Sequence, residues 1–452
     1  MNDNLSINRR RALATWALLL CLGAGAPVAA EIERISVAGD GSQASGDSYR
    51  AAISGDGAVV AFQSNAANLV AADTNGWVDV FVRDLDTGST TIASLQPDGS
   101  ETQSYSKAPS ISGDGNIVVY ESRPGGRTSV SVFDRAAGTV EHILPSTGSG
   151  GLPVPPATAR LEPAISGNGQ FVAFRTRDTL QVLHPPSIRP ENDDLNTTFD
   201  VFVYDRQTQP APPVQRISRL SNDEGLDADS RRPAISGNGR FLAFMTYSEL
   251  IPDDANNRPD VVLKDRDTGL LEVISITPGS TTGNGSSFDP AISGDGRFVA
   301  FRSDADDLVP GDSNGSWDIF VRDRVAGTTE RVSVSSSGEQ ADHHSAEPSI
   351  SDDGRFVAFR STASNLVSDD SNQHADIFVH DRLTGQTVRV GQPPNDESNG
   401  NSANPAISAD GAWIAFESDA TNLVDGDTNR TRDIFRAPNP LLDAPAMNAE
   451  GL

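Results

Sequence analysis

SGDGRFVAFRS, residues 293–303, places a glycine-rich turn directly before a short apolar segment. A glycine-rich loop can cradle a phosphate with its backbone N–H groups, but such a binding loop is not repeated at a fixed period. Here the turn recurs seven times, after Ile53, Ile111, Ile165, Ile235, Ile292, Ile350 and Ile407. Successive copies lie 58, 54, 70, 57, 58 and 57 residues apart, so the glycines mark a structural repeat.

Each repeat contains four segments that read as β-strands. A short Pro-x-Ile-Ser segment precedes the turn, and an apolar run such as Phe298-Val299-Ala300-Phe301 follows it. A long polar loop leads to a third segment, residues 318–322, and a turn ending in glycine leads to a fourth, residues 330–334. The second and third segments are apolar on both faces, as expected of strands buried on both sides. Four short strands repeated seven times predict an all-β, seven-bladed β-propeller with four-stranded antiparallel blades.

The two ends of the chain predict how the ring closes. The seventh repeat reaches its third strand at residues 433–436, but prolines follow and no fourth strand appears. Residues 32–37, IERISV, match the fourth strands of the other repeats. We therefore expect the N-terminal strand to complete the last blade, which leaves no open sheet edge at the junction.

The repeats, with ISGDGRFVAF followed by DIFVRDR, resemble the TolB-type, WD40-like propeller repeat of exported bacterial proteins. The resemblance covers about residues 31–436 and implies a propeller fold. TolB proteins resemble a smaller propeller behind an N-terminal α/β domain, and nothing helical precedes the repeats here. The resemblance therefore implies little about activity.

The first 30 residues have the pattern of a signal peptide. Three arginines precede an apolar run from Ala12 to Leu22, and Val28-Ala29-Ala30 fits a small-x-small cleavage site. We predict a signal peptide over residues 1–30, the propeller over 31–440 and a short tail over 441–452. The protein is then exported, to the periplasm or the cell exterior, without a membrane span.

Composition excludes several classes of function. The single cysteine, Cys21, lies in the predicted signal peptide, so the mature chain has no disulfide, cysteine nucleophile or thiolate metal site. The net charge of −27 disfavours nucleic acids and anionic membranes. A cation, a basic protein or a neutral glycan is a more suitable partner, although acidity also simply keeps secreted proteins soluble.

The long connections between strands predict which face carries function. The turns after the first and third strands are short and uniform, so they share one face of the propeller. The loops 63–78, 302–317, 360–375 and 417–432 and the links between blades, such as 335–347, share the opposite face. Binding sites tend to lie on long loops held by a rigid scaffold, so we expect function on this long-loop face.

Four of the long loops carry the pattern Asp-x-Asn-x-x-x-Asp. Its members are Asp73, Asn75 and Asp79; Asp312, Asn314 and Asp318; Asp370, Asn372 and Asp376; and Asp427, Asn429 and Asp433. Oxygen ligands at positions one, three and seven suit calcium, so one prediction is a calcium site in each loop. The alternative is that Asp and Asn form Asx-turns that shape the loop and cap the next strand.

Three histidines give a weaker metal candidate. His343 and His344 precede the sixth repeat and His374 lies in its long loop, beside Asp342, Asp370 and Asp376. Imidazoles with nearby carboxylates could hold zinc or manganese, or the histidines are ordinary exposed loop residues.

Three functions remain open from the sequence. The favoured one is a noncatalytic, exported binding or scaffold module for a protein, glycan or cell-envelope ligand, because the mature chain has no cysteine nucleophile and the notable acidic residues follow the repeat. The second is a metal-dependent lyase or hydrolase at the same face, working at the mouth of the central channel. The third is a structural surface protein whose loops calcium stiffens.

Overall fold

A computed structural model describes residues 32–124, 128–143, 161–177, 198–207, 214–221, 225–249, 256–393 and 396–442. These residues form seven four-stranded antiparallel sheets, the blades of a propeller. The predicted fold class is thereby confirmed. The predicted signal peptide, residues 1–30, and most of the predicted tail lie outside the described residues.

The first three blades follow the order predicted from the repeats. Blade 1 consists of β2 (Ser48–Ile53), β3 (Val59–Ser64), β4 (Asp79–Asp84) and β5 (Ser89–Ile92). Blade 2 consists of β6 (Lys107–Ile111), β7 (Ile117–Ser122), β8 (Ser129–Asp134) and β9 (Thr139–His142). Blade 3 consists of β10 (Ala164–Ile165), β11 (Phe171–Thr176), β12 (Asp200–Asp205) and β13 (Gln215–Arg216).

The next three blades repeat the arrangement. Blade 4 consists of β14 (Ser230–Ile235), β15 (Phe241–Thr246), β16 (Asp260–Asp265) and β17 (Leu271–Val273). Blade 5 consists of β18 (Ser287–Ile292), β19 (Phe298–Ser303), β20 (Asp318–Asp323) and β21 (Thr328–Arg331). Blade 6 consists of β22 (Ser345–Ile350), β23 (Phe356–Ser361), β24 (Asp376–Asp381) and β25 (Gln386–Val390).

Blade 7 joins the two ends of the propeller. It consists of β26 (Ser402–Ile407), β27 (Trp413–Ser418), β28 (Asp433–Pro438) and the N-terminal β1 (Glu33–Arg34). Strand β1 pairs antiparallel with β28, with Glu33 opposite Arg436 and Arg34 opposite Phe435. The predicted closure by the N-terminal strand is confirmed.

The hydrophobic core lies between neighbouring blades rather than at one centre. Phe301 and Phe320 of blade 5 stack with ring centroids 5.9 Å apart and join a buried cluster with Leu263 and Ile274 of blade 4. Each middle strand therefore buries one face against the preceding blade and the other against the next. This is why the second and third segments of the repeat are apolar on both faces.

Backbone hydrogen bonds link the first turns of neighbouring blades into a ring on the short-turn face. Gly55 N–H donates to Gly113 O at 2.8 Å. The same bond, from the N–H of the first residue to the oxygen of the second, joins Gly113 to Gly167, Gly237 to Gly294, Gly294 to Asp352 and Asp352 to Ala409. A Cβ added to Gly55 would lie 2.9 Å from the oxygen of Gly113. The first glycine of the SGDG turn therefore permits the turns to approach each other.

The inner strands of successive blades contact one another around the propeller axis. They begin at the long-loop face and end at the ring of first turns. No helix in the described residues is long and apolar enough to cross a membrane.

Candidate functional site

The asparagine of each Asp-x-Asn-x-x-x-Asp loop acts as an anchor. Asn314 Nδ2 donates to Asp318 Oδ2 and to Ala341 O in the following link, both at 2.8 Å. Asn314 Oδ1 accepts from the backbone N–H of Ser316 at 2.8 Å, which forms an Asx-turn. Equivalent bonds are made by Asn75, Asn372 and Asn429. Asx-turns therefore shape all four loops.

The last aspartate of each loop begins the third strand and is buried. In blade 5, Asp318 Oδ1 accepts from Ser333 Oγ at 2.5 Å, and Ser333 Oγ in turn accepts from Ile319 N–H. The same serine–aspartate bond joins Ser94 to Asp79 and Ser36 to Asp433. Burial raises the pKa of Asp79 and of Asp318 to about 6, although their serine and asparagine bonds oppose the rise.

These raised pKa values predict a dependence of stability on pH. The pKa of Asp318 is about 6 in the fold against an ordinary 3.8, so the folded state binds a proton more tightly. Protonation of Asp318 therefore raises the free energy of unfolding as the pH falls from about 6 towards 3.8. Replacing Asp318 by Asn should remove about 1 kcal/mol of the stability gained between pH 7.5 and pH 5, measured by urea denaturation at each pH.

Asp323 provides the matched control for this prediction. Its pKa is lowered to about 2, chiefly by its hydrogen bonds from Arg297, so it stays ionised in both states between pH 7.5 and pH 5. Asp323→Asn should leave the stability difference between these pH values unchanged. Equal pH responses of wild type and Asp318→Asn would contradict the prediction.

In three of the four loops an arginine from the fourth strand neutralises the aspartates. Arg331 Nη1 lies 2.9 Å from Asp312 Oδ1 and 3.8 Å from Asp318 Oδ2. Arg389 contacts Asp370 and Asp376 at 3.4 and 3.3 Å. Arg34 of β1 contacts Asp427 and Asp433 at 3.1 and 3.6 Å. The position opposite Phe81 in blade 1 is instead held by Ile92. Calcium binding by the twelve loop residues stays a prediction.

The three histidines of the weaker metal candidate are held separately. His344 Nδ1 accepts from the backbone N–H of Trp317 at 3.0 Å, and His343 Nδ1 lies 3.1 Å from Asp342 Oδ1. The backbone N–H of His374 donates to Asn372 Oδ1. In the described part of the chain, no group of three or more His, Cys, Asp or Glu side chains is arranged to hold a metal ion.

A second feature of the long-loop face is a ring of strained residues at the mouth of the central channel. In blade 1, Arg50 and Ala51 of the inner strand lie opposite the single residue Phe62, which is a β-bulge. Six blades show this bulge in the described residues. One non-glycine residue of each of the seven blades has a φ between 47° and 57° at this place: Arg50, Ala108, Glu162, Arg232, Asp289, Glu347 and Asn404. Such a backbone costs about 1–2 kcal/mol per residue.

Side chains of neighbouring blades hold several of these bulges in place. Glu417 Oε2 accepts from Arg50 N–H at 2.7 Å, and Glu347 Oε2 accepts from Asn404 N–H at the same distance. Gln63 Oε1 accepts from Ala108 N–H at 2.8 Å. The bulged backbone is thus fixed across the blade boundaries, and its side chains do not follow the sevenfold repeat.

The charges at the channel mouth are unevenly paired. Arg232 forms an ion pair with Asp289, and Arg302 forms a second ion pair with the same aspartate at 2.8 Å. Burial lowers the pKa of Arg232, and the charges of Arg302 and Arg50 lower it further against the opposing effects of Glu162 and Glu347. Arg50 is exposed, and its guanidinium makes no ion pair with the described residues. Arg50 is therefore available to an anionic ligand.

Comparison with protein-family models and with curated proteins found no match. Among solved structures, the chain is similar to TolB from Acinetobacter baumannii at 14% identity and a TM-score of 0.40, over 87% of this chain and 64% of that one. It is also similar to oligogalacturonate lyase from Vibrio parahaemolyticus, at 12% identity and a TM-score of 0.53 over 91% and 98% of the two chains.

The propeller domain of the Trilobed protease from Pyrococcus furiosus is similar at 10% identity and a TM-score of 0.53, over 90% and 99% of the two chains. At these identities the likeness shows the fold alone. The chain spans 64% of the length of the TolB chain. The protein is a seven-bladed β-propeller, as the repeats and their resemblance predicted.

Sequence reasoning named the channel mouth for the alternative enzyme site but did not single out the strained residues there. The signal was present, because six of the seven strained residues directly precede a proline, as Asp289 precedes Pro290. In the sequence, the Pro-x-Ile-Ser segment predicts only the first strand of each repeat. That these positions are bulged and share one ring depends on blade packing, which no single repeat contains.

Proposed function

We propose that this protein is an exported, noncatalytic binding module that holds an anionic group of its ligand at the channel mouth on the long-loop face. The observation that carries the proposal is Arg50, an exposed arginine on a strained bulge without an ion-pair partner among the described residues. A strained backbone persists where the surroundings fix it, and such positions concentrate at binding sites.

The surrounding charges support an anionic group rather than a cation at this place. The charge of Arg50 acts on Arg232 from across the ring of blades, and an anion bound near both side chains would relieve their repulsion. The whole chain carries a net charge of −27 and therefore repels polyanions over long distances. A local cationic position still attracts a ligand with one confined negative group, such as a glycan with an acidic sugar. The mouth should therefore bind such a ligand in preference to a polyanion.

The polar residues of the surrounding loops support a binding role over catalysis. Asn314 and its counterparts use their amide groups to hold the loop to the next link. These bonds hold the long loops rigid, and rigid loops favour binding because little conformational freedom is lost when the ligand binds.

The test is the affinity for oligosaccharides that carry a single acidic sugar, measured by isothermal titration calorimetry. Arg50→Gln should weaken binding about tenfold, the equivalent of about 1.4 kcal/mol, because a hydrogen bond to a charged group is lost. Arg297→Gln is the matched control, because it removes the same charge from the short-turn face, where Arg297 pairs with Asp323. Equal weakening in both variants would show a general charge effect and contradict the proposal.

A further inference from the structure

Arg360, on the second strand of blade 6, is a further arginine at the channel mouth. Along β23, Phe356 and Ala358 pack into the buried cluster between blades 6 and 7. Because alternate residues of a strand face the same side, Arg360 also faces blade 7, near the long-loop end of the strand. Its side chain is half-buried, and it forms no ion pair or hydrogen bond with the described residues.

Arg302 of blade 5 occupies the same place in its own blade and has partners there. Its guanidinium forms an ion pair with Asp289 at 2.8 Å. It also lies 5.3 and 5.0 Å from the ring centroids of Phe288 and Trp317. The side chains of blade 5 therefore neutralise and cover the guanidinium that corresponds to Arg360.

These three neighbours are replaced in blade 6. Two alanines, Ala346 and Ala375, stand at the places of the two aromatic residues. Glu347 stands at the place of the aspartate, but its Oε2 atom accepts from the N–H of Asn404 in blade 7 at 2.7 Å. Glu347 forms no ion pair within the described part of the chain. The guanidinium of Arg360 is therefore left without the counter-ion and the rings that Arg302 has.

Arg50 and Arg360 lie on either side of blade 7. Arg50 belongs to blade 1, and Glu417 of blade 7 accepts its backbone N–H. The carboxylate of Glu417 is neutralised by Arg432 at 3.0 Å, and the residue opposite it on the inner strand is the small Ala403. A half-buried charge is costly without a counter-ion, and a guanidinium binds a carboxylate with paired hydrogen bonds. The mouth above blade 7 therefore offers two separate places for an anionic group.

We propose that Arg360 holds a second anionic group of the ligand, so that the ligand lies over blade 7 between Arg50 and Arg360. The inference rests on the proposed function and narrows its ligand to a short oligosaccharide with two acidic sugars, one at each arginine. Two guanidiniums balance two carboxylates on a short chain. A longer polyanion would still meet the long-range repulsion of the acidic protein.

The test is calorimetric titration with two oligosaccharides of equal length, one with an acidic sugar at one end and one with acidic sugars at both ends. The second should bind wild type about tenfold more tightly, because a further hydrogen bond between charged groups is formed. Arg360→Gln should abolish this advantage. Arg430→Gln is the matched control, since it removes an exposed arginine from the long loop of blade 7, and it should preserve the advantage.

A second variant covers the guanidinium instead of removing it. Ala346→Phe installs the ring that lies beside Arg302 in blade 5, so it should also abolish the advantage. Equal affinities of wild type for the two oligosaccharides, or the same loss in Arg430→Gln, overturn the inference. If these equal affinities are both weakened by Arg50→Gln, only the second place fails and the proposed function stands. If wild type binds neither oligosaccharide, both fail.

Discussion

A chain that begins at residue 38 is expected to melt on the order of 10 °C below one that begins at residue 32. The deletion removes the strand that completes blade 7 and leaves β28 with an open edge. It also removes Ile35, which is fully buried in the cluster between blades 7 and 1, and the N–H of Ile35 that donates to Ile434 O at 2.7 Å. Loss of a buried isoleucine alone costs about 2–5 kcal/mol.

The deletion further leaves buried charges without a partner. Arg34 is the residue that contacts both Asp427 and Asp433, and Ser36 Oγ donates to Asp433 Oδ1 at 2.5 Å. Removing one partner of a buried ion pair costs about 3–5 kcal/mol because the other charge stays buried. The total loss, roughly 5–10 kcal/mol, makes this one of the two largest effects we predict.

Thermal unfolding followed by circular dichroism measures the effect, and a peptide provides its control. A synthetic peptide of residues 32–37 added to the truncated chain should restore part of the midpoint, because the open edge of blade 7 is its binding site. An unchanged midpoint after truncation would mean that closure by β1 does not contribute to stability. A restored midpoint would show that the lost stability came from this strand.

The second large effect is expected from Gly354→Ala. Gly354 has a φ of +71°, and a Cβ added there would lie 2.1 Å from Cδ2 of Phe298 in the preceding blade. The guanidinium groups of Arg382 and Arg297 lie 4.2 and 4.6 Å from the centroid of the Phe298 ring, so the ring has little room to move. Backbone strain of about 1 kcal/mol and overpacking of about 1–3 kcal/mol should together reduce the free energy of unfolding by about 3 kcal/mol.

Gly385→Ala separates the two causes within the same blade. Gly385 has nearly the same φ, +72°, but nothing lies within 4 Å of the added Cβ. This variant should lose only the backbone contribution, about 1 kcal/mol. Urea denaturation of both variants gives the difference, and equal losses would argue against tight packing between Phe298 and the turn of blade 6.

The local pattern of each repeat was enough to predict the blades. Strand segments, short turns and their spacing depend on residues close in sequence, such as the run Phe298 to Phe301 after its turn. The pairing of β1 with β28 could also be predicted. The seventh repeat is divided between the two ends of the chain, and each part keeps the sequence pattern of the other repeats. The Asx-turns at the loop asparagines were likewise a local expectation, and the structure contains them.

The roles of the loop aspartates required the tertiary structure. The four loops look alike in sequence, but whether an aspartate is neutralised depends on a residue of the fourth strand, such as Arg331 or Ile92. In blade 7 that residue, Arg34, comes from the opposite end of the chain. Aligning the fourth strands of the repeats would have revealed that blade 1 has isoleucine where blades 5, 6 and 7 have arginine. Only the fold shows that the arginine reaches both carboxylates.

The sequence by itself therefore determined the number of blades, their strands and the closure of the ring, because these follow from periodic local patterns that burial on both faces imposes. The tertiary structure decided which loop lacks its counter-ion and which residues meet at the channel mouth. Both depend on side chains that come from different blades or distant strands. Whether a charged side chain is neutralised depends on the charges close to it in space, and these are not its neighbours in sequence. Arg50, held by Glu417 from the last blade, shows this dependence most directly.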